Sequence, residues 1–370
     1  MKKIILLCAV FYCAACVQAA QIVRVQLADN LKTAQIKTSG KVYIYEANKG
    51  KKYKVSNPGN LHINFAKNTL SIGALKSTGP LVIEPAAKSQ LTFQKNIYTG
   101  KLYAIPTGNT FSIVEHIDLE SYLLGVLPHE MSHSWPLEAL KAQAVAARTY
   151  TKMQLKGNKS NFDLYNDTRS QMYKGAGTVY DSVRKAVEGT QGQVLTYKGD
   201  LFNTYYHANC GGGTDDAKIW TGSSATTIKP LQGASCKTDT HSKSYSWKVT
   251  VPSSSINSFV NKNGLAGNIK KIKIDQRTHS KRAVTLQFTT SKGSKNLSCA
   301  KFRLAVGAGL LKSCKITSIS KSSSGFVFEG HGFGHGIGMC QDGAKGMAEN
   351  GKTYKQILAN YFPDSKLTTL

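Results

Sequence analysis

The stretch Asp118-Leu119-Glu120-Ser121-Tyr122-Leu123-Leu124-Gly125-Val126-Leu127-Pro128-His129-Glu130-Met131 is where this chain changes character. Upstream, apolar residues alternate with the period of two that marks half-buried strands. From Asp118 onward Leu119, Tyr122, Leu123 and Val126 follow helical spacing, and Asp118 suits the N-cap. Pro128 has no N–H and is expected to end this helix, leaving Glu130 in a short proline-bounded loop. A second helix opens near Ser134, with Pro136 in its first turn and Glu138 complementing the dipole. It runs through the alanine-rich segment from Leu137 to about Leu155, and Gly157 supplies its stop. The alanines give it a narrow flank that other elements can approach closely.

Working outward, Ile22–Leu27, Lys41–Tyr45 and Leu61–Phe65 alternate as strands. Turn signals at Ser39-Gly40, Asn48-Lys49-Gly50, Asn57-Pro58-Gly59 and Thr107-Gly108-Asn109 separate them. A small antiparallel sheet packed on the downstream helices is expected. Beyond those helices, a further one over Asp181–Glu188 precedes strands at Gln193–Tyr197 and Leu201–His207. Residues 246–328 are strand-rich, with a helical segment near Phe302–Leu311. A glycine-rich run, Gly330 to Gly338, leads to a last helix bearing Tyr354, Ile357 and Leu358. No internal repeat, parallel βαβ series or nucleotide loop is present in the sequence. The fold class is α+β: an antiparallel strand-rich N-terminal part, residues 20–109, packed on a mixed α+β domain, residues 110–365.

The first nineteen residues read as a signal peptide. Lys2 and Lys3 precede an apolar run from Ile4 to Cys16, and Val17-Gln18-Ala19 is a small-x-small cleavage pattern. Cys16 as a lipidated residue is the weaker alternative, since the preceding residues lack the usual Leu. The run is short for a bilayer span, and no later stretch has the length to cross one. The expected location is therefore the periplasm or the exterior of the cell envelope, with peripheral membrane association open.

In 370 residues the hydrophobic content is 41%, that of a globular chain, and the formal net charge is +27. A strongly positive field attracts polyanions. For an exported chain whose lysines are scattered rather than gathered into a stripe, anionic wall polymer or membrane is the better match, and nucleic acid is set aside. Of eight cysteines, three fall in the leader. Cys210 with Cys236 and Cys299 with Cys314 are candidate bridges in an oxidising compartment, with Cys340 left over; spacing does not fix the pairing.

Glu130 is hemmed in by Val126, Leu127, Met131 and Trp135, and desolvation of that kind raises a carboxyl's pKa. A raised pKa is what a general acid near neutrality needs. Lys141 and Arg148, on the next helix, could reach the same cleft. His207 ends a strand before Gly211-Gly212-Gly213, where the backbone stays open to a ligand. The spelling His129-Glu130-Met131-Ser132-His133 matches a zinc-protease motif, but that chemistry needs both histidines on one helical face, and the prolines leave scarcely one turn. His331 and His335, four apart among alternate glycines, are likewise not on a helix. No metal and no cofactor are assigned.

Two long segments carry a resemblance. They are Tyr122–Met131 with Trp135–Tyr150, and Gly334-His335-Gly336-Ile337-Gly338-Met339-Cys340-Gln341-Asp342-Gly343-Ala344. With Gln171-Met172-Tyr173-Lys174-Gly175 and Tyr206-His207 between them, they are similar to the SpoIID/LytB family over roughly residues 110–365. The resemblance implies cleavage of peptidoglycan glycan strands by a lytic transglycosylase acting on strands stripped of stem peptides. It also implies that Glu130 is the catalytic acid/base. Lys141 and His207 fall at positions of importance in the family, and Gln171, Tyr173, His335 and Gln341 join Arg148 as candidate substrate contacts. Some members hold zinc through His and Cys; His207-Ala208-Asn209-Cys210 has the spacing of a metal half-site, and the cysteine arrangement leaves open whether His207 and the nearby cysteines hold zinc. Cys340 stands where Ser is favoured, and His331 where Arg is usual. The same family name covers enhancers of cell-wall amidases, so a non-catalytic binding module with an amidase partner is the alternative. Hydrolysis would need a second carboxylate opposite the first. Asp215 and Asp216 are available for that, whereas Asp118 and Glu120 are explained by capping.

Overall fold

The structure is a computed structural model that describes residues 21–55, 59–155, 160–218 and 227–370. The leader with Cys16, the Asn57-Pro58 turn and the Gly157 helix stop lie outside the described residues.

The strand Ile22–Leu31 pairs antiparallel with Thr110–Asp118, setting Val25 opposite Glu115 and Ile22 opposite Asp118. This pair sits within a seven-stranded sheet that continues through Lys101–Thr107, Leu81–Pro85, Val42–Glu46 and Tyr53–Val55. Leu164–Tyr165 adds to its other side, parallel to Ile22–Leu31. A second sheet of six strands has Thr33–Thr38 and Gly59–Ala66 at its centre. Val23, Val25, Leu81 and Ile113 from the first sheet share one core with Ile36, Ile63, Leu70 and Leu91 from the second. The N-terminal part is thus a two-sheet structure, larger than the single small sheet expected. The additional strands are short ones, such as Thr69–Ile72, Leu91–Phe93 and Asn96–Tyr98, too brief for alternation to stand out.

Thr110–Asp118 runs straight into helix α1, Leu119–Glu130, so strand pairing fixes where the helix begins. The Asp118 carboxylate accepts from the Ser121 N–H at 2.9 Å, the cap expected from sequence. Pro128 does not end α1; it lies inside the last turn, and Glu130 is a helical residue rather than a loop residue. A proline there removes only its own N–H bond to the preceding turn. The fully buried Leu123, Val126 and Leu127 hold the turn on the core, and the Met131 N–H closes it on the Leu127 carbonyl at 2.9 Å.

Helix α2, Leu137–Leu155, is the central rod, its Ala139, Ala142, Ala144, Ala146 and Ala147 fully buried. Helix α3, Asp181–Glu188, and the strand Gln193–Tyr197 pack on it. The expected strand Leu201–His207 shrinks to two short pieces, Asp200–Leu201 and Tyr206–His207. Tyr206–His207 pairs parallel with Met339–Cys340, which brings the glycine-rich end of the chain back across the molecule.

Residues 246–331 build a lobe with its own core. Two three-stranded sheets enclose helices α4, Ser253–Lys262, and α5, Cys299–Val306, around Phe259, Phe288, Phe302 and Phe328. Asp215, fully buried, joins the lobe to the α2 side: it faces Arg282 at 3.2 Å and accepts from Thr278 and Ser280. The chain then returns through α6, Gln341–Glu349, and α7, Tyr354–Tyr361, both against α2. The described residues hold seven helices and predominantly antiparallel sheets, an α+β fold. No helix among them is long and apolar enough to cross a membrane.

Candidate active site

Glu130 projects from the end of α1 into a junction of three segments. Its Oε1 accepts the Met172 N–H at 2.7 Å, and its Oε2 accepts Gln341 Nε2 at 3.3 Å. Burial is the dominant influence and raises the Glu130 pKa to about 7, against a smaller lowering by those two donors. The negative end of the α1 dipole, where this carboxyl sits, pushes in the same direction. The residue as a whole is only partly buried, so some of its surface remains exposed beside the buried carboxyl.

What holds Met172 in place is a buried polar post. Gln171 is 1% exposed; its Oε1 accepts from the Tyr122 and Thr151 hydroxyls at 3.1 and 2.8 Å, and its Nε2 donates to the Tyr206 hydroxyl at 2.8 Å. Close approach of α1 to this segment depends on Gly125. A Cβ there would lie 2.5 Å from the Gly175 carbonyl oxygen and from the Tyr173 ring. Gly338 has φ of +69°, and a Cβ on it would meet the Tyr205 carbonyl at 2.1 Å, so only glycine lets the returning chain present Gln341.

The residues proposed as substrate contacts divide. Gln341 touches Glu130. Gln171 and Tyr173 are instead beneath the site, both about 1% exposed; they position the segment whose Met172 N–H meets Glu130. Arg148 is fully buried, bidentate to Glu120 at 2.7 and 2.8 Å and bonded to the Val187 and Gln193 carbonyls, so it is a strut between α1, α2 and the strand beyond. Lys141 pairs with Glu138 at 2.8 Å and lies 5.7 Å over the Tyr354 ring, tying α2 to α7 rather than entering the cleft. His207 is 5% exposed, its Nδ1 3.1 Å from the Ile337 carbonyl and its ring 5.1 Å from that of His335. The His335 Nδ1 accepts the Ile337 N–H, and burial, reinforced by Arg282 and Arg303, holds His335 down at about 4. Burial, with His335 alongside, holds His207 well below its ordinary range too, so both rings favour the neutral form and the pair braces the glycine run.

The other acids considered are already committed. Asp118 caps α1, Glu120 pairs with Arg148, Asp215 serves the lobe junction, and Asp216 accepts from Lys218 N and Thr227. Glu115 also has its pKa raised to about 7 by burial, but it is fully enclosed and bonded to the Tyr173 hydroxyl and the Gly100 N–H, out of reach of any substrate. The zinc-protease reading fails on geometry, because α1 ends between its two histidines and His133 stacks on Tyr180 at 3.8 Å.

None of the five cysteines among the described residues is bridged. Cys299 and Cys314 are neighbours as buried thiols, and Cys210 and Cys236 belong to a larger group with Asp239 and Cys340. Sequence spacing could not show that Cys340, the apparent leftover, joins Cys210: strand pairing across the molecule places it there.

Fold and site together define a class: an α+β protein with a partly exposed, proton-retaining glutamate at a helix end, held by a backbone amide and a glutamine. The profile of a family described as stage II sporulation protein matches residues 107–197, and a domain of unknown function, DUF8618, matches residues 223–338. Stage II sporulation protein D of Bacillus amyloliquefaciens is 31% identical over 67% of this chain and 74% of its own length. The amidase enhancer of Bacillus subtilis is 33% identical over 67% of this chain, though the match spans only 40% of that longer protein. An uncharacterised protein of Brachyspira hyodysenteriae is 36% identical, with 72% of this chain and 70% of its own covered. The chain belongs to the SpoIID/LytB family.

Proposed function

We propose that this chain is an exported lytic transglycosylase of peptidoglycan glycan strands. The observation that carries the reading is Glu130, a partly exposed residue whose carboxyl pKa is raised to about 7 while the alternative carboxylates are engaged elsewhere. Protonated Glu130 donates to the glycosidic oxygen as the C1–O bond breaks. The resulting carboxylate takes the proton from the C6 hydroxyl of the same muramyl sugar, whose oxygen closes on C1. The new bond is a 1,6-anhydro linkage, the proton balance returns to its start, and water is not consumed. One residue serves as acid and base, so no second carboxylate is needed, in contrast to two-carboxylate hydrolysis. The net charge of +27 would hold the chain on anionic wall polymers or at the membrane surface.

A second reading is favoured by the name of one relative, amidase enhancer: this chain would bind glycan and stimulate a cell-wall amidase. Incubating the purified chain alone with amidase-stripped strands separates the two. Soluble fragments support cleavage; intact strands with tight binding support the enhancer.

A further inference from the structure

We infer that Cys210, Cys236, Cys340 and Asp239 form a structural zinc site that clamps the catalytic segment to the lobe junction. One ligand atom from each lies within 4.8 Å of every other, and all four residues are buried. A tetrahedral site with Zn–S of about 2.3 Å and Zn–O of about 2.0–2.2 Å needs ligand-to-ligand edges of roughly 3.5–3.8 Å, so a small contraction closes the cluster on a metal. Three sulfurs cannot satisfy one another as disulfides, because any bridge strands the third. Asp239 is 1% exposed and its Oδ1 has no partner among the described residues, an orphaned buried acceptor suited to a cation. Its Oδ2 is 3.1 Å from Cys210 Sγ, where the thiol proton stands in for the metal.

The surroundings suit thiolates. Cys340 Sγ accepts the N–H groups of Cys210 at 3.2 Å and of Gly343 at 3.3 Å, the latter at the N-terminus of α6, where the helix dipole favours negative charge. The Tyr361 hydroxyl lies 3.1 Å from Cys236 Sγ. Lys315 reaches the Gly211 carbonyl beside the cluster and offsets part of its charge. His207, whose Nδ1 faces the Ile337 carbonyl, lies outside this group of four. Three thiolates and a carboxylate favour a soft, tetrahedral d¹⁰ ion, and the thiol protons leave to solvent as it binds. The ligands come from three separated stretches: 210 after the His207 strand, 236–239 at the entry to the lobe, and 340 immediately before Gln341. The metal would therefore fix the register in which Gln341 meets Glu130, whatever reaction Glu130 performs.

The test is elemental analysis and thiol mapping of the purified full chain prepared without chelator or reductant. We expect about one zinc per chain. Cys210, Cys236 and Cys340 should resist alkylation until a chelator is added and then label as free thiols. Cobalt(II) replacing the zinc should give the thiolate charge-transfer and d–d bands of a tetrahedral sulfur-rich site. Cys236→Ala and Cys340→Ser should each lower metal content at least about tenfold. A metal-free chain in which two of the three sulfurs form a disulfide overturns the assignment. So does a chain with three freely alkylating thiols that takes up no cobalt. The wild-type measurements decide the matter even where a variant fails to fold.

Discussion

On the proposed mechanism Glu130 meets two opposing demands, a proton to give and a surface to meet substrate. Burial raises its pKa to about 7, and the Met172 and Gln341 donors limit the rise. On that mechanism the acid form starts the reaction, so kcat/KM for strand cleavage should fall as pH rises through about 7. Removing the Gln341 donor in Gln341→Leu removes a group that favours the carboxylate, so the alkaline limb of the profile should move to higher pH. Glu130→Gln should reduce cleavage by about 10²–10⁴-fold with an unchanged circular dichroism spectrum, the scale of a lost general acid. Glu115 is the control carboxyl. Its folded pKa of about 7 lies above its unfolded value of 4.5, so the stability it confers is complete at low pH and is lost as pH rises through about 7. Glu115→Gln should flatten that decline in chemical denaturation between about pH 4.5 and 7 without moving the alkaline limb of activity. The apolar neighbours that mark Glu130 were legible in sequence. The use of Arg148, Gln171 and Tyr173 was not, because a polar residue in a motif reads the same whether it faces a ligand or braces the residue that does.

At the scale of elements, the site is made by α1 arriving against the 171–175 segment, and Gly125 permits that arrival. Gly125→Val puts side-chain atoms where the Gly175 carbonyl and Tyr173 ring already lie. The predicted result is a folded but less stable chain with reduced kcat and an alkaline limb shifted upward, as Met172 is pushed off Glu130. A variant with normal pH dependence would show that the segment does not set the proton affinity. The cap, the alanine flank of α2 and the α3 span are local signals, and sequence shows them clearly. Pro128 misleads because proline propensity assigns a helix end, whereas burial of Leu123, Val126 and Leu127 outweighs one missing hydrogen bond in a last turn. The short strands of the second sheet pair with their neighbours in sequence but are too brief for alternation to stand out, whereas α4 packs on Cys299–Val306 and Gly325–His331, beyond any local window.

Across the whole molecule, two cores meet near the segment that carries Gln341, through the Asp215–Arg282 pair and the chain's return at Met339–Cys340. The lobe's phenylalanine-rich core was not separable in sequence from the family domain around it, since both are strand-rich. The charge of +27 belongs to this scale too: association with anionic wall polymer should weaken steeply as salt rises from low ionic strength, while cleavage of short glycan fragments, which carry few charges, should change less. The most direct test of the central claim is mass spectrometry of amidase-stripped glycan strands after incubation with the purified chain. The account predicts new ends lighter than hydrolytic ends by one water, absent with Glu130→Gln; reducing ends, or uncut strands, would contradict it.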